Sequence, residues 1–179
     1  MMDRSDEEIV RQCRSGDRRA YDALVERYHR TIYNVALRMV RDRDDAADVT
    51  QSVFVKAYEG LGRFDDRFKF FSWLYRIAVN ESLNMLNQRK KFDGLEGVDV
   101  PEVEEEGADD EMVAQESKVQ GALMMLKTDQ RAIIILKHMQ GLSYEEIGQV
   151  MDIPVKTVKS RLFSARQVLR EILKKKGRG

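Results

Sequence analysis

Residues Leu142–Arg170, LSYEEIGQVMDIPVKTVKSRLFSARQVLR, leave the chain little freedom: they demand two short helices around a tight turn. Ser143 and Glu146 form a capping box, and Ile147, Val150 and Met151 recur at helical spacing behind it. Asp152 and Ile153 make the turn. Pro154 fits at or beside the first position of the next helix, where a missing N–H costs nothing, and Val158, Leu162, Ala165, Leu169 and Ile172 then repeat every three or four residues as one apolar face. The opposite face carries Lys156, Thr157, Lys159, Ser160, Phe163, Ser164, Arg166 and Gln167. Those side chains suit phosphate oxygens, base edges and a thymine methyl, so the unit is expected to be a helix-turn-helix entering a major groove. From Pro154 to Arg178 nine Lys or Arg face only Glu171, a basic surface far denser than a solvated helix needs.

The formal net charge of zero conceals a partition. Residues 1–92 hold 18 basic and 15 acidic groups, residues 93–117 hold none and 11, and residues 118–179 hold 13 and 5, giving +3, −11 and +8. The middle strip, DGLEGVDVPEVEEEGADDEMVAQES, has three glycines, one proline and no aromatic residue, so burial cannot offset its ordering entropy and it is expected to be a flexible linker. Two small all-α domains, 1–92 and 118–179, flank it. No apolar run reaches membrane-spanning length and the start, MMDRSDEE, is unlike a signal peptide, so a cytoplasmic protein is expected. Cys13 is the single cysteine, so no internal disulfide is possible, and its place beside Ile9 and Val10 leads us to expect a buried apolar thiol. His29 and His138 have no neighbouring ligands, so no metal or other cofactor is expected.

The first block reads as helices throughout. Ser5 and Glu8 are a second capping box, Gly16 closes that helix, and Tyr21, Leu24, Val25, Tyr28, Ile32, Val35 and Met39 continue at helical spacing. A third helix spans about Asp44 to Gly60, with Ala46, Val49, Val53 and Ala57 inward and Asp45, Asp48, Gln51, Ser52 and Lys56 outward. Next, Phe64, Phe68, Phe70, Phe71, Trp73 and Tyr75 lie within twelve positions, interleaved with Arg63, Arg67, Lys69 and Arg76. Aromatic faces receive unstacked bases at about 1 to 3 kcal/mol each while cations hold the backbone. Phe70, Leu74 and Tyr75 are read as core, whereas Phe64, beside charged loop residues, is read as a binding residue. From Ser72 a helix resumes in which Arg76, Asn80, Asn84, Asn87 and Lys91 form one polar stripe. Asparagine is a mediocre helix former, so such a stripe points to amides that read bases or phosphates.

Three stretches together resemble the extracytoplasmic-function (ECF, group 4) sigma factors of the sigma-70 family: DDAADVTQSVFVKAY, FKFFSWLYRIAVNESLNMLNQRKK, and TDQRAIIILKHMQGLSYEEIGQVMDIPVKTVKSRLFSAR. The first looks like the part of region 2 that grips the polymerase clamp, the second like the part that melts and reads the -10 element, and the third like region 4. The resemblance implies a non-enzymatic initiation factor that binds core RNA polymerase and directs it to promoters. Asp45, Asp48, Gln51 and Ser52 would meet polymerase, with Phe54 packing; Ser52 stands where members commonly carry glutamate. Phe64 and Asn80 would line a pocket for a flipped -10 base, Trp73 would support strand separation, and Arg67, Lys69, Arg76 and Asn84 would contact the same strand. Thr157 and Arg161 would hold phosphates, while Lys156, Lys159, Ser160, Phe163, Ser164 and Arg166 would read the -35 duplex; Ser164 is often arginine in relatives. An anti-sigma factor is the implied regulator.

Two other readings compete. A helix-turn-helix repressor or activator would require a dimerisation element and a palindromic site, and no such element is visible. A metal-dependent nuclease would draw on Asp42, Asp44, Asp45 and Asp48, which fit the start of a capped, exposed helix better. The linker's 25 residues span roughly 25 to 30 Å as a coil and about 85 Å when extended, against about 34 to 36 Å for a turn of duplex, so it bridges two elements without setting their spacing.

Overall fold

The structure, a computed structural model, describes residues 4–93 and 111–176. Every element among them is helical, and they divide into two compact units, the first built mainly from residues before Leu86 and the second mainly from those after Met85.

In the first unit α1 (Asp6–Arg14) starts at the expected capping box: the Ser5 hydroxyl accepts from the Glu8 amide at 3.3 Å and the Glu8 carboxylate accepts from the Ser5 amide at 3.0 Å. Gly16, at φ +102°, supplies the left-handed turn beyond it. Asp17 then caps α2 (Arg18–Val40) by accepting from the Arg19 and Ala20 amides, and Asp42 caps α3 (Arg43–Gly60) by accepting from Asp45. Ala46, Val49, Val53 and Ala57 are all buried on α3, as their spacing requires, and α3 packs on α2, where Leu24, Ile32, Val35 and Met39 are buried too. A single 3-10 turn, Leu61–Arg63, leads through a loop to α4 (Phe70–Asp93), which begins two residues before the expected Ser72. Burial of Phe70 against Phe64 and Trp73 extends the helix backward.

The second unit opens with α5 (Glu111–Met124). Residues 94–110 of the expected linker lie outside the described residues, but Glu111–Ser117 is helical, which shortens that segment at its far end. EMVAQES is rich in strong helix formers and runs without a break into KVQGALM, so the propensity favours one continuous helix. The second unit continues with α6 (Thr128–Ile134), a π-helical turn at Ile135–Met139, α7 (Tyr144–Met151) and α8 (Val155–Lys176). The capping box of α7 forms as read: Ser143 Oγ accepts from Glu146 N at 3.1 Å, and Glu146 Oε2 accepts from Ser143 N at 2.9 Å. Asp152 takes the left-handed conformation, φ 55°, in the turn, and Pro154 stands just before α8, its carbonyl accepting from Val158 at 3.0 Å. At 22 residues α8 is not short, because its buried stripe of Val158, Leu162 and Ala165 packs along both α5 and α6.

Candidate functional site

The loop between α3 and α4 sorts its aromatic rings into inner and outer ones. Phe64 is 8% exposed, with its ring 5.0 Å from that of Trp73 and 5.8 Å from that of Phe70. Phe64, expected to line a pocket for a base, is thus largely covered in this structure, where three rings close on one another. Trp73 is half-buried beside Gly60, where a Cβ would come within 3.1 Å of the indole. Phe68, at 47% exposure, is instead the ring turned to solvent, between the exposed Arg67 and Lys69. Arg67 is bound at its base to Asp65, whose carboxylate accepts from both the Arg67 guanidinium and its backbone amide. Those hydrogen bonds hold the Asp65 carboxyl at about 2, well under its usual range. Lys69 lies over the Phe71 ring at 5.3 Å.

Arg76, Asn80, Asn84 and Asn87 are all exposed on α4, so the polar stripe is a surface as read. Asn84, however, donates to Glu81 Oε1 at 3.3 Å, and Glu81 is a hub that sequence reasoning missed. It accepts from the Ser52 hydroxyl at 2.6 Å and from Lys56 at 2.6 Å, linking α4 to α3. Burial alone would raise the Glu81 carboxyl; the hydrogen bonds from Lys56 and Ser52 outweigh it and hold the group below the usual carboxylate range. Ser52 was expected to face polymerase. It is half-buried with its hydroxyl directed to Glu81, since a serine is too short to pass that carboxylate. No local signal pairs positions 29 apart.

The outer side of α3 carries Asp44, Asp48, Gln51, Val55 and Tyr58, all exposed and spaced by 4, 3, 4 and 3 residues. Asp45 is half-buried at the helix start, its amide bound to the Asp42 cap at 2.9 Å. Phe54 packs inward as expected, stacked on His29 with centroids 6.2 Å apart. Val55 and Tyr58 were not singled out from sequence, yet they stand 51% and 44% exposed beside Asp48 and Gln51. The spacing was there to be seen; only the choice of face was not. Among the described residues, Asp42, Asp44, Asp45 and Asp48 assemble no metal-ligating group.

On α8, Lys156, Lys159, Ser160, Arg161, Phe163, Ser164 and Arg166 are exposed and Thr157 is half-buried. Phe163 is 66% exposed at the middle of this face. Ser160 Oγ donates to the Thr157 carbonyl at 3.1 Å, while Arg161, on one flank, lies 3.9 Å from Asp129. Lys159 Nζ sits 5.7 Å from the centre of the Tyr144 ring, and Lys137 sits 4.7 Å from it. On the other flank Arg166 Nε donates to His138 Nε2 at 3.0 Å. Partial burial and then the Arg166 and Lys137 charges hold this imidazole below the usual histidine range, which keeps it a neutral acceptor near pH 7. Below α8, the close crossing is made at Gly148, where a Cβ would lie 2.9 Å from the Ile153 carbonyl oxygen.

Residues 24–92 match the family described as Sigma-70 region 2, and residues 117–169 match Sigma-70, region 4. The chain is 36% identical to the RNA polymerase sigma-H factor of Pseudomonas aeruginosa, over 94% of this chain and 93% of that protein. It is also 36% identical to the ECF RNA polymerase sigma-E factor of Escherichia coli, over 92% of each. Two solved structures share its fold at 27% identity. One is CnrH in complex with the cytosolic domain of CnrY, with a TM-score of 0.74 over 94% of this chain and 97% of that one. The other is the sigma factor RpoE in complex with the anti-sigma factor NepR from Bartonella quintana, with a TM-score of 0.68 over 86% and 96%. Two region matches in chain order, with relatives alike over nine-tenths of both lengths, make this chain a member of the extracytoplasmic-function RNA polymerase sigma factors of the sigma-70 family.

Proposed function

We propose a division of labour among the exposed faces of this initiation factor. The outer stripe of α3, Asp48 and Gln51 with Val55 and Tyr58, docks on core RNA polymerase; two large apolar side chains left in water beside polar ones suit a partner helix. Phe68, Arg67 and Lys69 on the loop, with Trp73, Arg76, Asn80 and Asn84 on α4, hold the melted -10 strand. Phe68, exposed, takes the stacking part, while Phe64, inside the loop, packs on Trp73 and supports the loop. Lys156, Lys159, Ser160, Phe163, Ser164 and Arg166 read the -35 duplex, flanked by Thr157 and Arg161 on phosphates. The observation that carries this reading is Phe163, an aromatic ring 66% exposed among cations and hydroxyls on the second helix of a helix-turn-helix, where folding has no use for it.

As a sigma factor the chain has no catalytic step to perform and needs no metal; its work is binding energy spent on an unpaired base, whose extrusion costs a few kcal/mol. Its region 2 comprises residues 1–92 and its region 4 residues 118–179, joined through the acidic segment. An anti-sigma factor covers one or more of these faces when the protein is idle, by analogy with the RpoE–NepR complex. A factor serving polymerase acts in the cytoplasm, and among the described residues no helix is long and apolar enough to cross a membrane.

Run-off transcription with core polymerase on a promoter library tests the assignment. Transcripts that require both core and this chain are expected; repression in the presence of another sigma factor, without stimulation of core, would return the helix-turn-helix repressor. Within that assay Asn80→Ala and Phe68→Ala are expected to impair promoter melting about tenfold with core binding intact, while Arg166→Ala weakens selection at -35.

A further inference from the structure

We infer that Arg14, at the end of α1, is a positioning residue for -10 recognition: it latches the loop that divides its aromatic rings into an inner Phe64 and an outer Phe68. This rests on the assignment of that loop to the melted strand. All three guanidinium nitrogens are committed, and to three places along the loop. Nε donates to the Leu61 carbonyl at 3.1 Å, Nη2 donates to the Phe64 carbonyl, and Nη1 donates to both oxygens of Asp66, at 2.9 and 2.8 Å. The Arg14 Cζ lies 5.9 Å from the centre of the Phe64 ring. One side chain from a distant helix thus spans positions 61 to 66.

The chemistry favours a constraint on shape over a contribution of charge. The Asp66 contact is open to water and screened, whereas the two carbonyl bonds are partly buried and charge-assisted. The loop's own hydrogen bonds are local: Phe64 N donates to Leu61 O at 3.3 Å, Phe68 N donates to Asp65 O at 3.0 Å, and Arg67 donates to the Asp65 carboxylate, none of them tying the loop to another helix. With its Leu61 and Phe64 carbonyls pinned, the backbone is held in the path that sends the Phe64 ring inward against Phe70 and Trp73. The next turn then carries Phe68 outward between Arg67 and Lys69. A planar fork places five donors on three separate nitrogens and so reaches acceptors spread from position 61 to 66 in fixed directions; an ammonium has its three donors on one nitrogen and does not span them. The sequence offers no hint of this, since Arg14 reads as one more basic residue in the last turn of an amphipathic helix.

The test compares Arg14→Ala and Arg14→Lys in the full-length chain with core polymerase. Amide exchange at Phe64, Arg67 and Phe68 is expected to accelerate at least about tenfold in both variants while Val53 in α3 stays protected. The holoenzymes are expected to bind a labelled single strand, carrying the -10 sequence of a promoter they transcribe, about five- to tenfold more weakly at unchanged affinity for core. Full rescue by lysine, wild-type loop exchange, or core affinity falling in step with strand affinity would each overturn the latch. Asn80→Ala runs beside them as a control on the underlying assignment. Loss of strand affinity there with none in Arg14→Ala removes the latch alone. Wild-type affinity in Asn80→Ala removes the -10 assignment, and loop exchange then decides the latch by itself.

Discussion

At the scale of single residues, the buried cation Arg131 shows what a polar side chain inside a small core must be for. Its Nε donates to the Leu123 carbonyl at 3.0 Å, and Nη2 donates to Met124 at 2.9 Å and Leu126 at 3.4 Å. These carbonyls close the end of α5 and the following turn, and that of Leu123 also accepts from the Leu126 backbone amide at 3.1 Å, so the guanidinium serves as a C-terminal cap. Burial lowers its pKa to about 10, still high enough to stay charged at neutral pH. Arg131→Met keeps the length and apolar stem but strands those carbonyls, and it is expected to cost about 2 to 4 kcal/mol in urea unfolding of the second unit. An unchanged midpoint would show that water satisfies them instead. Phe64 and Phe68 make the complementary point. Four positions apart, chemically identical and each set between two charged residues, they are not distinguished by their neighbours, because a ring is buried by what packs on it and not by what is adjacent in the chain.

Among the elements, caps and stripes were the legible part. The Ser5–Glu8 and Ser143–Glu146 boxes formed as read, and the inner stripe of α3 was right at every position. A cap is a contact across three residues and a stripe a consequence of 3.6 residues per turn, so both are written locally. The starts of α4 and α5 were misjudged for a different reason: α4 is extended by tertiary burial of Phe70, and Glu111–Ser117 continues without a break into the helix that follows. The π-helical turn at Ile135–Met139 had no sequence signature at all, yet it holds His138, which supports Arg166. The helix-turn-helix also depends on a close crossing that periodicity does not report. Gly148→Ala would gain up to about 1 kcal/mol in helix propensity but sets a Cβ 2.9 Å from the Ile153 carbonyl. The clash is expected to win by about 1 to 3 kcal/mol net, lowering the melting temperature and weakening -35 duplex binding together. A variant more stable than the parent would show that the turn can shift to admit a methyl group.

For the whole molecule the governing quantity is the charge partition of +3, −11 and +8 along the chain. Eleven carboxylates tethered between two nucleic-acid-binding units compete with phosphates for the same cations, so the free factor is expected to bind promoter DNA poorly until polymerase holds both units in register. Exchanging the acidic residues of the segment for Gly and Ser should raise the affinity of the free chain for duplex DNA about tenfold or more at low salt, an increase that salt erases; equal affinities at low salt would refute the competition. Helical class, two-domain organisation and the presence of a groove-reading helix were all decided by local rules, because hydrogen-bonded turns, caps and apolar periodicity act over a few residues. Which side chains are left exposed was decided by contacts across tens of residues, as between Arg14 and the loop at 61–66 or Ser52 and Glu81. Packing chooses such pairs by shape in three dimensions, and a pattern confined to neighbouring positions carries no record of that choice.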